Sequence, residues 1–241
     1  HGRSNYCKKV KIMALVEGTY TCQFCGHKFS REKTLAVHVC EQKRRHLAKT
    51  ERHVVLGFDA YNRFFKLSQN LKGEKTYDDF AKSPYYNAFV KFGSFVSNVN
   101  PLYPDKFIDY VIKSGVKLDH WCREELYDKY VVDLIKSETV ETALERSIKH
   151  MMQWGESNNA QWNHYFLYVS LSRAVFDVRD GKVSPWLILN SKNGKEMLKK
   201  FNDEQLQAIS AIMDLPFWIN KFKKLPADTN LVKEVVKESN I

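Results

Sequence analysis

Tyr20-Thr21-Cys22-Gln23-Phe24-Cys25-Gly26-His27-Lys28-Phe29-Ser30-Arg31-Glu32-Lys33-Thr34-Leu35-Ala36-Val37-His38 is the stretch that decides how the amino end of this chain folds. Two thiols stand three positions apart, an imidazole closes the run, and Phe29 and Leu35 lie between as apolar wedges. A segment this short cannot bury enough apolar surface to fold alone. Ligation of a metal ion by thiolates and imidazole supplies the missing stabilisation. The spacing therefore predicts a small metal-closed core, with Cys22, Cys25 and His38 as ligands and Phe29 and Leu35 as its filling.

The pattern resembles the first three-quarters of a C2H2-type zinc finger. The C-x2-C knuckle, the twelve-residue gap from Cys25 to His38, the aromatic at Phe29 and the leucine at Leu35 all match. The resemblance covers residues 20–46 and implies a ββα module that binds Zn2+. Two other readings of Cys22 and Cys25 are weaker. A redox pair needs a surrounding βαβ pattern, which is missing. A disulfide needs an oxidising compartment, and no apolar leader precedes the pair. With no apolar run long enough to span a bilayer, the chain reads as soluble and intracellular.

The fourth ligand departs from the family pattern. An ordinary finger places it four or five residues beyond His38, where Gln42 and Lys43 stand. Cys40 and His46 are the candidates. In an unbroken helix His46 lies about 12 Å along the axis from His38, too far to share an ion. Cys40 is close but would point away from His38 on a continuous helix. Either choice requires the helix to stop just after His38. Cys40, a soft ligand, needs the smaller distortion, so a Cys22/Cys25/His38/Cys40 set is expected, with His46 the alternative. His27, in the knuckle loop, is expected to be solvated.

Charge is concentrated around this segment. The formal net charge is +10. Residues 1–66 carry 14 Lys and Arg against 5 Asp and Glu, whereas 67–241 carry 24 against 23. The densest point is Lys43-Arg44-Arg45-His46, and on a continuous helix Arg45, Lys49 and Arg52 share one face. Charge runs are usually solvated faces, but such asymmetry beside a metal-closed module is the electrostatic footprint of a nucleic-acid binder. If the resemblance to DNA-reading fingers holds, the helix starts near Ser30. Arg31, Thr34 and Val37 would then face the bases, with Arg31 suited to a guanine edge. Lys33, Lys43, Arg44, Arg45 and Lys49 would add phosphate contacts. One finger covers about three base pairs, so sequence preference should be loose, with DNA expected over RNA.

From about residue 54 onward the periodicity is helical, and residues 54–241 are expected to form a larger, irregular α-helical domain. Helices are predicted around Phe58–Leu67, after Ser83-Pro84, from Pro104 to Gly115, after Asp119, across Val140–Met152, from Trp162 through Val175, after Asp203 and from Asp228 to Ser239. Val183–Leu189 alone looks like a strand, interrupted by Pro185. Residues 1–19 read as an N-terminal extension. The first twelve, before Met13, read as a leader, a tag remnant or upstream read-through.

No reactive pair or phosphate loop stands out in the larger part. Cys122 beside Trp121 reads as a small buried hydrophobe. His150 and His164 lack metal or triad spacing, and Asp78-Asp79 reads as a first-turn acid pair. Most aromatics fit the core, although Tyr85, Tyr86, Trp154, Trp162, Tyr165 and Tyr168 are of a type that stacks on bases. Tyr86, Lys82 and Lys91 are expected to face outward near the finger. Lys82–Gly93 and Ile112–Asp119 resemble uncharacterised proteins of large tailed bacteriophages, which implies a bacterial host cytoplasm or a virion and no activity.

The sequence thus predicts a mainly α protein with a small ββα zinc module. Its expected role is non-enzymatic: a DNA-binding accessory factor in transcription, replication or DNA processing, whose helical domain docks a protein partner. The alternative is a structural or adaptor protein whose zinc module grips another protein, in a virion for example.

Overall fold

A computed structural model describes residues 19–69 and 73–241; the expectations for residues 1–18 lie outside them. β1 (Tyr20–Thr21) and β2 (Lys28–Phe29) pair antiparallel, with Tyr20 opposite Phe29 and Thr21 opposite Lys28. Gly26 makes the turn possible at φ 73°, a conformation costly for a residue with a Cβ. α1 (Glu32–Val37) completes the ββα unit, and α2 (Glu41–Leu47) and a 3-10 turn at Ala48–Thr50 lead away from it.

The rest is helical. α3 (Arg52–Gln69), α4 (Tyr77–Lys82), α5 (Tyr86–Val99), α6 (Pro104–Lys113) and α7 (Glu124–Ser137) come first. They are followed by α8 (Val140–Asn158), α9 (Tyr165–Tyr168), α10 (Leu171–Arg179) and α11 (Pro185–Asn190). α12 (Lys192–Lys199), α13 (Asp203–Ile209), α14 (Leu215–Lys224) and α15 (Pro226–Glu238) complete the chain. The predicted class holds: a small two-stranded sheet and helix precede a larger helical region.

The core of that region forms at the α3–α5 crossing. Phe58, Tyr61, Phe64, Phe80, Phe89, Phe92 and Trp121 pack ring against ring there, with centroids 5.1–5.9 Å apart in the pairs Tyr61–Phe80, Phe64–Phe89 and Phe92–Trp121. Tilted and edge-on pairs of this kind add to the stabilisation from area burial. The backbones meet at Gly57 and Gly93. A Cβ on Gly93 would lie 2.0 Å from the His53 carbonyl oxygen, so only glycine allows this approach. A second aromatic cluster, Trp186, Trp218 and Phe222, fills the space between α11 and α14. Among the described residues before Val54, only Cys22 is buried, so the amino-terminal module has no apolar core comparable to this one.

Several helix boundaries differ from the expectations, each for a local reason. α1 starts at Glu32 after an extended Arg31, and Ser30 is not its cap. Ser83 does not cap α5; it closes α4, a helix fixed by a Thr76–Asp79 capping box, and α5 begins after Tyr85. Asp119 falls in a 3-10 turn, and α7 starts at Glu124. The long helix expected from Trp162 through Val175 is broken, because Val169 is extended and the Ser170 hydroxyl accepts the Arg173 N–H to start α10 afresh. α13 is capped by Asn202, one residue before Asp203. The strand-like Val183–Leu189 is instead the start of α11. Ser184 caps it and Pro185 occupies the first turn, where its missing N–H has no cost.

Candidate metal centre

The Sγ atoms of Cys22, Cys25 and Cys40 and a ring nitrogen of His38 all lie within 4.8 Å of one another. Local structure explains why. The knuckle turn is held by Cys22 N–H donating to the His27 carbonyl at 2.8 Å and Gly26 N–H to the Cys22 carbonyl at 2.8 Å. α1 stops at His38, whose backbone turns extended at ψ 122°. Cys40 then caps α2, its thiol accepting the Lys43 N–H at 3.4 Å. The expected break after His38 is therefore present, and it swings Cys40 back towards the other three side chains.

The spacing suits a tetrahedral ion. Bonds of about 2.3 Å to sulfur and 2.0–2.1 Å to nitrogen imply donor–donor edges of about 3.5–3.8 Å. Cys25 Sγ lies 3.4 Å from His38 Nε2, and Cys22 Sγ lies 4.0 Å from Cys40 Sγ. Electrostatics point the same way. The amides of Cys25 and Phe24 hold the Cys22 thiol below its ordinary value. Cys25 moves the other way: the His27 amide lowers it, but burial and the neighbouring Cys22 and Cys40 thiols outweigh that and push it up. Three thiolates at this distance repel one another, and a divalent cation relieves the repulsion. The four residues can hold a metal ion, in keeping with a zinc-finger-like site.

Phe29 and Leu35 are half-buried beside the cluster, and the Phe29 ring centroid lies 4.8 Å from that of His38. His27 is exposed, stands edge-on to Phe29 and is outside the ligand group. His46 is committed elsewhere: Nδ1 lies 2.9 Å from the Gln42 carbonyl and Nε2 2.9 Å from Asp78 Oδ1.

The basic residues divide into two groups. Arg31, Lys33, Thr34, Arg44 and Lys49 are exposed. Lys43 donates to the His38 carbonyl at 3.2 Å, which steadies the turn between the ligands. Arg45 departs most from expectation. Its guanidinium donates to the Ala81 carbonyl at 2.7 Å, pairs with Glu41 at 3.1 Å and lies 4.4 Å over the Tyr86 ring. Tyr77 completes the clasp by donating its hydroxyl to the Arg45 carbonyl. Tyr86 is accordingly buried, not outward-facing, while Lys82 and Lys91 are exposed as expected. The stripe through Arg45, Lys49 and Arg52 is not continuous, because the 3-10 turn and extended Glu51 interrupt it and Arg52 donates to Asn100.

Two features had no place in the sequence reading. Tyr77, Asp78 and Ala81 form the seat on which α2 docks; the sequence marks Asp78 only as a first-turn acid, and nothing in the local pattern marks the docking. Asp177 is wholly buried and gathers His150, Tyr165 and Arg173. Its signal was legible as an acid on the apolar face of α10, between Ala174 and Val178. Cys122 is half-buried, and burial pushes its thiol up, as suits an unreactive packing residue.

No helix among the described residues is long and apolar enough to cross a membrane. Comparison with protein-family models, curated proteins and solved structures finds no match for this chain. The four-donor geometry is consistent with a zinc-finger-like site, and no finding supports the resemblance to phage proteins.

Proposed function

We propose that Cys22, Cys25, His38 and Cys40 bind Zn2+ and that the module they close binds nucleic acid, DNA in preference to RNA. The observation that carries this reading is the four-donor cluster in a segment whose exposed side chains include Arg31, Lys33, Arg44 and Lys49. Thiolate and imidazole donors in a closed tetrahedral set select zinc over harder cations. Such a closed set leaves no open position for a substrate, so the metal's role is structural. Arg31 and Thr34 are the base-facing candidates. Lys33, Arg44 and Lys49 supply phosphate contacts, with Lys43 beside them; Arg45 is dropped from this set and assigned to docking. The helical region serves as the docking platform for a protein partner, and the chain acts without catalysis as an accessory factor in transcription, replication or DNA processing.

A second reading has its own observation. Val37, Val39 and Leu47 are 78%, 57% and 69% exposed around the module. Exposed apolar side chains of this kind favour a protein partner for the module.

Titration of a labelled duplex and a labelled single strand against zinc-loaded protein at rising salt separates the two. Nucleic-acid binding predicts affinity that falls linearly with salt on logarithmic axes. It also predicts a slope that shrinks by about one for each of Lys33→Ala and Arg44→Ala. Absence of binding at low salt would leave the adaptor reading.

A further inference from the structure

Well away in sequence from the metal ligands, His150, Gln153, Trp154, Asn158, Tyr168 and Arg173 line a cleft of about 520 Å3 between α8 and the α9–α10 turn. That volume falls within the roughly 300–1,000 Å3 usual for small-molecule sites. Behind it lies the buried Asp177. Its carboxylate accepts from the Tyr165 hydroxyl at 2.8 Å and from Arg173 Nε at 2.9 Å, and His150 Nε2 lies 2.8 Å from Oδ2. Burial alone would raise the Asp177 carboxyl, but these partners outweigh it and hold it below its ordinary value. The carboxylate thereby fixes Arg173 from behind by hydrogen bonding, whereas His150 stands at ion-pair distance with its buried Nε2 unmatched by a hydrogen bond.

What those side chains leave unused defines a ligand. Arg173 spends Nε on Asp177, while its two terminal nitrogens have no partner among the described residues, and the side chain is 55% exposed. A guanidinium anchored at one edge presents a pre-ordered fork to an oxyanion. His150 Nδ1 and the Gln153 amide likewise have no partner among the described residues. Asn158 donates to the Trp154 carbonyl, which leaves its own oxygen as an acceptor. Trp154 offers a half-buried indole, held edge-on to Tyr165 at 5.3 Å, and Tyr168 is 68% exposed at the rim. An apolar ligand would strand the amides and the guanidinium, and a bare anion would leave both aromatic rings idle. A planar heterocycle carrying a phosphate uses all of them.

We propose that this cleft binds one nucleotide unit, its base against Trp154 and Tyr168 and its phosphate on Arg173. The unit is either a free mononucleotide or the phosphorylated end of a strand. The proposal uses none of the metal module's residues and stands whether or not that module binds nucleic acid.

The test is calorimetric titration of the full chain with adenosine monophosphate, with inorganic phosphate, and with a short 5′-phosphorylated oligodeoxyadenylate as ligand and as competitor. Adenosine monophosphate or the oligonucleotide should bind saturably, with phosphate at least about tenfold weaker. Tyr168→Ala should weaken binding about tenfold, since stacking on one aromatic ring is lost. Arg173→Gln should weaken it by a similar factor. Tyr168 is exposed, so its variant keeps the test valid if Arg173→Gln unfolds the chain, which a thermal melt would reveal. Displacement of the mononucleotide by the oligonucleotide assigns the site to strand ends, and failure to displace assigns it to the free ligand. Phosphate binding as tightly as the nucleotide, binding unchanged in Tyr168→Ala, or no binding of either nucleotide probe overturns the proposal.

Discussion

Cys40 stands two residues beyond His38, a spacing that on a continuous helix would turn the thiol away from the other ligands. The chain resolves this by ending α1 at His38 and using Cys40 as the cap of α2, so one residue serves both the four-donor cluster and the helix. His46, the other candidate, is held by Gln42 and Asp78. Cys40→Ser should therefore weaken zinc binding by more than about 100-fold, beyond what loss of an outer-shell partner costs. His46→Ala should leave zinc affinity nearly unchanged, and competition against a chromophoric chelator reads both. The reverse order would exclude Cys40 as a ligand. The alternation of Cys, His, Phe and Leu made three ligands and the mini-core legible in the sequence. The fourth needed a backbone break that residue types imply but do not place.

At the level of elements, α2 is both the continuation of the metal module and the strap that fastens it to α4 and α5. Arg45 belongs to that strap: its neighbours in the run, Arg44 and Lys43, are respectively exposed and half-buried, whereas its own side chain is only 15% exposed. Sequence showed a basic cluster but not which cation turns inward, because that choice depends on the Ala81 carbonyl and the Tyr86 ring, more than thirty residues away. Arg45→Ala should lower stability by about 1–3 kcal/mol in chemical denaturation, as loss of a charged donor to the carbonyl of buried Ala81 does. It should reduce DNA affinity less than Arg44→Ala does; an equal or larger loss would return Arg45 to the binding surface. The α3–α5 crossing makes its own prediction. Gly93→Ala places a carbon 2.0 Å from the His53 carbonyl. It should cost about 3 kcal/mol or more by the same assay, because backbone cannot yield as a side chain can. Hydrophobic spacing marked α3 and α5, but the closeness of their contact is visible only once they are paired.

In the molecule as a whole, a module with a four-donor cluster in place of an apolar core joins a region that its own aromatic core supports. Helical class was legible from the threes and fours of Tyr, Phe and Val. What misled were the cap residues: Ser184-Pro185 reads as a broken strand until its hydroxyl is seen to start α11. The larger region's acid sensitivity should centre on Asp177, whose folded-state value lies below the ordinary 3.8. A depressed carboxyl stabilises the fold above its unfolded value and loses that contribution as pH falls towards and through its folded value. Stability should therefore decline with a steep limb below about pH 4. Asp177→Asn should flatten that limb while lowering stability at neutral pH by about 3–5 kcal/mol, since it strands buried partners; an unchanged acid limb would contradict the assignment. The two parts should also respond differently to chelation, with protection of the Cys22 and Gly26 amides lost and that of α3 and α5 kept. The most direct measurement is zinc-edge X-ray absorption on the purified protein together with its metal content. One zinc per chain, with three sulfurs at about 2.3 Å and one nitrogen at about 2.0–2.1 Å, is the predicted result. Metal-free protein with those two amides still protected, or a bound zinc with oxygen in place of the third sulfur, would contradict it.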